Sequence, residues 1–125
     1  MFRGKEIHVV FSEEARESFD ELNKVVGEEI KKDIMASVHQ TLLKSINRAK
    51  ELLRENPFAG IQIPKSRIPR KYLLKYNVTN LWKINLSDFW RIVYTATGNQ
   101  VEIMAFVLDI VDHKTYDKIF GYKGK

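Results

Sequence analysis

The hydrophobic period of this chain changes at about Asn80, and this change constrains the fold more than any other feature. Upstream of it, apolar residues recur three or four positions apart, which is typical of one face of a helix. Downstream, the period is two in three segments rich in β-branched and aromatic residues: LWKINL, WRIVYTA and QVEIMAFVLDIV. Only SDF and TGN separate these segments, so the pattern predicts consecutive antiparallel strands. In TGN, Gly98 and Asn99 tolerate positive φ and favour a hairpin turn.

Two helices are predicted upstream of this change. The segment Ile7 to Phe11 is a short predicted strand, and Ser12 ends it and can cap the helix that follows. That helix has one apolar stripe, formed by Ala15, Phe19, Leu22 and Val26. We expect Gly27 to end it, and a longer helix to extend from about Glu28 to Glu55, where Asn56-Pro57 ends it. The apolar stripe of this second helix comprises Ile30, Ile34, Val38, Leu42, Ile46, Ala49 and Leu53.

A connector and a short end segment complete the chain. The connector, FAGIQIPKSRIPRKYLLKYNV, contains PRKYLLKY, which can form a short helix. The segment DHKTYDKIF predicts one or two helical turns, and GYKGK is expected to be a loose tail. The order of these elements predicts a single α+β domain over residues 1–125. It consists of an N-terminal strand, a helical hairpin, an antiparallel β-meander and a short C-terminal helix, with the helices covering one face of the sheet.

Composition excludes several classes of protein. With 44% hydrophobic residues among 125, the chain can bury one core. It contains no cysteine, so disulfides and thiolate metal sites are excluded. The start, MFRGKEIH, lacks the apolar core of a signal peptide, and no apolar run is long enough to cross a membrane. We therefore expect a cytoplasmic protein without a membrane partner.

Positive charge is concentrated in the second half of the chain. Residues 1–63 carry 10 Lys and Arg against 11 Asp and Glu, whereas residues 64–125 carry 11 against 5. Within eleven residues of the connector there are five cations and no acidic residue, which favours a polyanionic partner such as RNA. The alternative is a solvated loop. We call these five residues the basic cluster: Lys65, Arg67, Arg70, Lys71 and Lys75.

The segments LWKINLSDFWRIVYT and VEIMAFVLDIVDHKTYDKIFGY resemble the second half of RelE/ParE toxins. In that family a strand with an LxKI pattern precedes a YRxxY strand, a hydrophobic strand, and a terminus with basic or His residues and a Tyr. The resemblance implies a RelE-like toxin of a type II toxin–antitoxin system. Such a toxin is a ribosome-associated mRNA endoribonuclease, independent of metals and cofactors, that cleaves by 2′-OH attack on the adjacent phosphate. The ParE branch implies gyrase inhibition instead. A cognate antitoxin, the ribosome and mRNA are the implied partners.

The resemblance also nominates site residues. Arg91 of WRIVY matches the Arg of the YRxxY strand, and its guanidinium suits a phosphate clamp. Lys83 matches the first Lys of a KxK pattern and would supply a second cation. The second position of that pattern is Asn85, which removes a charge that RelE-type cleavage uses. His113 and Tyr116, one helical turn apart, match the His and Tyr of the terminus, and a His can transfer protons near neutral pH.

Each nominated residue has a plainer interpretation. Arg91 can be a surface arginine paired with a carboxylate such as Glu102. Lys83 can be an exposed strand residue, and His113 can be a surface histidine at a helix start. His8 and His39 are expected to be structural. Three functions therefore stay open: an mRNA-cleaving toxin, a non-enzymatic ParE-like gyrase inhibitor, and a simple nucleic-acid-binding module for which the basic cluster suffices.

Overall fold

A computed structural model describes residues 2–121 of the chain. The elements follow one another as β1 (Glu6–Phe11), α1 (Glu13–Lys31), α2 (Val38–Glu55), β2 (Ile61–Gln62), α3 (Arg70–Tyr76), β3 (Trp82–Asn85), β4 (Arg91–Gly98), β5 (Glu102–Val111) and α4 (His113–Phe120). Short 3-10 turns lie at Lys65–Arg67 and Ser87–Phe89. The predicted α+β class and order of elements are confirmed, and the tail from residue 122 lies outside the described residues.

One sheet of five strands carries the fold, in the order β1-β5-β4-β3-β2. The predicted meander is confirmed, because β3, β4 and β5 pair antiparallel. The N-terminal strand β1 pairs with β5 in parallel, with Glu6 opposite Glu102 and Phe11 opposite Val107. The two-residue strand β2 extends the other edge by pairing with β3. β2 was not predicted, because two residues are too few to show a strand period.

Helices cover both faces of the sheet, so the prediction of one covered face was wrong. On one face, α1 and α2 pack on Ile92, Tyr94 and Val107 through side chains such as Ile46 and Leu53. On the other face, α3 and α4 bring Tyr72 and Tyr116 against Val93 and Leu108. Strand alternation places Ile92 and Val93 on opposite faces, so both faces of β4 present apolar residues that must be covered. The short helices fill the second face.

The boundary between the first two helices differs from the prediction. Gly27 lies inside α1, which continues to Lys31, and α2 begins only at Val38. A side chain at Gly27 would meet nothing within 4 Å, so the glycine neither ends the helix nor serves a close contact there. The actual start signal is Ser37, whose Oγ accepts a hydrogen bond from the N–H of Gln40 at 3.1 Å. Of the predicted stripe, three residues are consequently exposed: Ile30, Ile34 and Val38.

The hairpin between β4 and β5 forms where predicted, but for another reason. Neither Gly98 nor Asn99 has a positive φ. Instead, the Asn99 side-chain oxygen accepts hydrogen bonds from the N–H groups of Val101 and Glu102, at 2.8 and 2.9 Å. A Cβ at Gly98 would lie 2.8 Å from the Glu102 carbonyl oxygen. Glycine is therefore needed for close approach of the two strands.

None of the helices within residues 2–121 is both long and apolar enough to cross a membrane.

Candidate functional site

Arg91 begins β4, and only Trp90 separates it from the turn Ser87–Phe89. Its Nη1 donates hydrogen bonds to the carbonyl oxygens of Phe89, at 2.6 Å, and Trp90, at 3.3 Å. Its Nε is buried and has no acceptor among the described residues. The guanidinium is thus held by two neutral carbonyl oxygens and not by a carboxylate of the described residues. Arg91 is therefore available to an anionic ligand.

The alternative pairing of Arg91 with Glu102 is wrong. Arg91 lies opposite Val111, at the end of β5, whereas Glu102 begins that strand. Nine residues of extended chain separate the two positions, about 30 Å at the usual rise per residue. Glu102 instead pairs with His8: its Oε2 lies 3.1 Å from His8 Nε2, within hydrogen-bond and ion-pair distance. Among the described residues, no carboxylate lies within ion-pair distance of Arg91.

Glu6, His8 and Glu102 form an exposed group whose ligand atoms lie within 4.8 Å of one another, so these residues could hold a metal ion. They project from the paired starts of β1 and β5. This group is at the opposite end of β5 from Arg91. It therefore has no part in the candidate site around Arg91.

The ring of Tyr116 lies near both of the predicted site cations, Lys83 and Arg91. Tyr116 is 3% exposed, and its ring stacks on that of Phe120 with centroids 4.2 Å apart. Lys83 Nζ lies 5.3 Å and Arg91 Cζ 5.6 Å from the centroid of the same ring. Each cation is within the range of a cation–π interaction. Burial, together with the positive charge of Arg91, holds the pKa of Lys83 below its usual range, while Asp117 acts in the opposite direction. Two cations are thus held close together, which favours binding of a multivalent anion.

His113 contacts Phe89, the residue whose carbonyl oxygen accepts a hydrogen bond from Arg91. It is the first residue of α4 and is exposed, and Asp112 caps the helix as predicted by accepting a hydrogen bond from the N–H of Thr115 at 2.8 Å. The imidazole ring packs edge-on against Phe89, with centroids 5.8 Å apart. Because the Phe89 carbonyl also accepts from Arg91, Phe89 connects His113 to the cations. The sequence prediction missed Phe89, although a large apolar residue in a turn between strands is an available signal.

Asn85 lies next to Arg91. The two residues are direct partners in the β3–β4 pairing, and Lys83 is two residues from Asn85 on the same strand. Direct partners and alternate residues share a face of a sheet, so Lys83, Asn85 and Arg91 point to the same side. The amide that replaces the expected second lysine can therefore donate hydrogen bonds beside Arg91, but it adds no charge.

The basic cluster divides into paired and unpaired cations. Lys71 Nζ lies 3.0 Å from the buried carboxylate of Asp109, which also accepts a 2.7 Å hydrogen bond from the Tyr72 hydroxyl. Lys75 forms an ion pair with Glu14. The other three cations are exposed and have no carboxylate within ion-pair distance among the described residues: Lys65, Arg67 and Arg70. These three form the free part of the cluster.

The basic cluster and the Arg91 site are on the same face of the sheet. Tyr72 of α3 packs in one hydrophobic cluster with Val93 and Tyr116. Burial and the negative charge of Asp109 raise the pKa of Tyr72, so its hydroxyl stays protonated and donates to that carboxylate. Sequence reasoning missed Asp109, because a single carboxylate inside an apolar strand shows no pattern until its partners are known.

The carboxyl group of Glu14 should make the stability of the fold depend on pH. The Lys75 ammonium and the Tyr76 hydroxyl lower the pKa of Glu14 from its ordinary value of 4.5 to about 2. A carboxyl group whose pKa is lowered by folding stabilises the fold above about pH 4.5, and this contribution is lost as the pH falls towards about 2. We expect Glu14→Gln to lower the thermal unfolding midpoint at pH 6 and to flatten its fall between these pH values. Glu13→Gln, next to it in the same helical turn, is the matched control; equal pH dependence in wild type and Glu14→Gln would contradict the assignment.

The described elements define a class of fold: an N-terminal strand, a helical hairpin, and an antiparallel meander followed by a short helix, as in the RelE/ParE toxins. Among solved structures, the chain is similar to a YoeB/ParE toxin from Agrobacterium tumefaciens, with a TM-score of 0.54 and 16% sequence identity over 85% of this chain and 98% of that one. The RelE-like fold predicted from the sequence motifs is thereby confirmed. No family model matches the sequence. No curated protein matches it significantly.

Proposed function

We propose that this chain is a RelE-like toxin that cleaves mRNA on the ribosome, in the cytoplasm and without a metal ion. The observation that carries the proposal is the pair of cations, Arg91 and Lys83, held over the ring of Tyr116 with His113 at the rim. Cleavage by an RNA 2′-OH needs positive charge where the phosphorane-like transition state becomes more negative, and a group that moves protons. These side chains supply both requirements.

Each residue has a distinct role in this mechanism. Arg91 and Lys83 stabilise the phosphate oxygens while the ribose 2′-oxygen bonds to phosphorus and the bond from phosphorus to the 5′-oxygen breaks. His113, exposed beside them, accepts the 2′-OH proton or protonates the leaving 5′-oxygen. Tyr116 is buried and acts through the two cations, so we assign it a positioning role.

The free part of the basic cluster supplies the affinity for RNA. Replacing Lys65, Arg67 and Arg70 by Gln should weaken binding to single-stranded RNA and lower the slope of log affinity against log salt by about 2, because each lost phosphate contact lowers it by about 0.7. The double variant Lys71→Gln/Lys75→Gln is the matched control. Its cations are already paired with Asp109 and Glu14, so the slope should change by less than 1. Equal slopes for the two variants would show that the cluster binds RNA without this division.

The second candidate is a ParE-like gyrase inhibitor, and Asn85 favours it. The amide beside Arg91 takes the place of a cation that RelE-type cleavage uses. Expression in growing cells separates the two candidates. Growth arrest with transcripts cut within codons supports the endoribonuclease, whereas growth arrest with DNA damage supports gyrase inhibition.

A cognate antitoxin is the proposed protein partner. A groove of about 470 Å³ runs between α1 and α2, and its apolar lining includes Leu22, Val25, Leu42 and Trp90. It suits the apolar face of an amphipathic segment, while acidic residues of that segment would meet the basic second half of the chain. Co-expression with the neighbouring gene, followed by purification through a tag on this chain, should recover a complex. Recovery of this chain alone, harmless at high expression, would argue for a simple nucleic-acid-binding module.

A further inference from the structure

Phe89 has an unusual conformation for a large apolar residue. Its φ is 62° and the φ of the preceding Asp88 is 56°, so two consecutive residues other than glycine are left-handed. This region is disfavoured for residues with a Cβ, and it is an outlier for a bulky one. Phe89 is nevertheless 68% exposed and belongs to neither hydrophobic core. Strain of this kind in a turn is characteristic of functional sites.

The exposed ring adjoins the groups assigned to phosphate binding and proton transfer. The Phe89 ring packs at a steep angle against the His113 ring, and the Phe89 carbonyl accepts a hydrogen bond from Arg91. Arg91 in turn shares the ring of Tyr116 with Lys83. An exposed aromatic ring beside cations is the combination that binds unpaired nucleotides, because the cations hold the backbone and the ring stacks on a base.

We infer that Phe89 is the stacking platform for one unpaired nucleobase of the RNA, with the phosphate of that nucleotide or its neighbour on Arg91 and Lys83. This inference rests on the proposed function and names the base subsite of the same site. The apolar surface that we propose for a protein partner is not the Phe89 ring but the groove lined by Leu42 and Trp90. Asp88 also lines that groove, which places the acidic residue of the turn on the helical-hairpin side.

The test compares RNA with and without bases. Phe89→Asn removes the ring while keeping a residue that tolerates positive φ, and Phe89→Trp keeps an aromatic surface. The probes are a short single-stranded RNA with non-cleavable linkages and an abasic chain with the same number of phosphates. We expect Phe89→Asn to weaken binding of the RNA roughly ten- to a hundred-fold and to leave the abasic chain unchanged. Phe89→Trp should bind the RNA as the wild type does. Leu74→Ala, which removes another exposed apolar side chain, is the matched control.

Several outcomes would overturn the inference. If Phe89→Asn binds both probes like the wild type, the ring does not stack on a base. If it loses both probes equally, the turn acts only by positioning Arg91. If RNA binding is unchanged and only the complex with the neighbouring gene's product is weakened, the ring is a protein contact. In these cases wild-type RNA binding that depends on Arg91 leaves the proposed function standing, whereas a wild type that does not bind RNA removes both.

Discussion

Arg91→Ala is expected to slow RNA cleavage strongly while the fold persists. In the proposed mechanism the Arg91 guanidinium stabilises the negative charge that develops on the phosphate, and loss of one such donor lowers the rate by roughly 10²- to 10³-fold. Arg91 is surrounded by two carbonyl groups and the Tyr116 ring rather than by a carboxylate. Removing it leaves no buried carboxylate without its cation. We therefore expect the free energy of unfolding to fall by only about 1–2 kcal/mol, from the hydrogen bonds to the turn.

The measurement is cleavage of a defined mRNA on programmed ribosomes, with thermal unfolding recorded for the same preparations. Arg91→Lys is the matched variant, because it keeps the charge but not the planar fork of donors. It should recover part of the binding and little of the rate. If Arg91→Ala cleaves RNA at the parental rate and remains as toxic as the parent, the phosphate site is elsewhere.

His113→Gln is expected to slow cleavage by roughly 10²- to 10⁴-fold, the usual effect of losing a general acid or base. The side chain is exposed at the first position of α4, so its replacement by another polar residue should leave the unfolding midpoint nearly unchanged. RNA affinity should also change little, since the cations that we propose to bind phosphate are retained. A rate loss without an affinity loss would identify proton transfer rather than binding.

His39→Gln is the control for this second variant. His39 is also an exposed histidine near the start of a helix, but its Nδ1 lies 2.8 Å from a carboxylate oxygen of Glu29, in the hairpin of α1 and α2. The His39→Gln variant should cleave RNA at the wild-type rate. Undiminished cleavage by His113→Gln would mean that another group, or water, moves the protons.

The cations of the site are arranged before any ligand arrives. Lys83 and Arg91 share one buried aromatic ring, and their proximity contributes to the lowered pKa of Lys83. The repulsion between these two positive charges disfavours the charged form of Lys83, and an anion bound near both would relieve it. Folding therefore already supplies the free energy that brings the two charges together, so a phosphate bound there would require little reorganisation of the protein.

Local features of the sequence were sufficient to predict most elements of the fold. The period of two downstream of Asn80 predicted the three strands of the meander, because alternation depends only on residues that are neighbours in the chain. The caps Ser12 and Asp112 were predicted for the same reason, since each accepts a hydrogen bond from an N–H three residues ahead. The nomination of Arg91 and Lys83 came from short motifs in the resemblance to RelE/ParE toxins.

Contacts between distant residues were decided only by the tertiary structure. The parallel pairing of β1 with β5 joins residues 96 positions apart, and the covering of the second sheet face depends on Tyr72 and Tyr116 meeting at Val93. The neutralisation of Lys71 by Asp109 likewise joins α3 to β5. Such contacts depend on the sum of packing and desolvation over the whole core, which no single window of sequence contains. Local sequence therefore specified most of the elements, although not the boundary between α1 and α2 or the short strand β2. The packed core determined which cations pair with carboxylates and which do not.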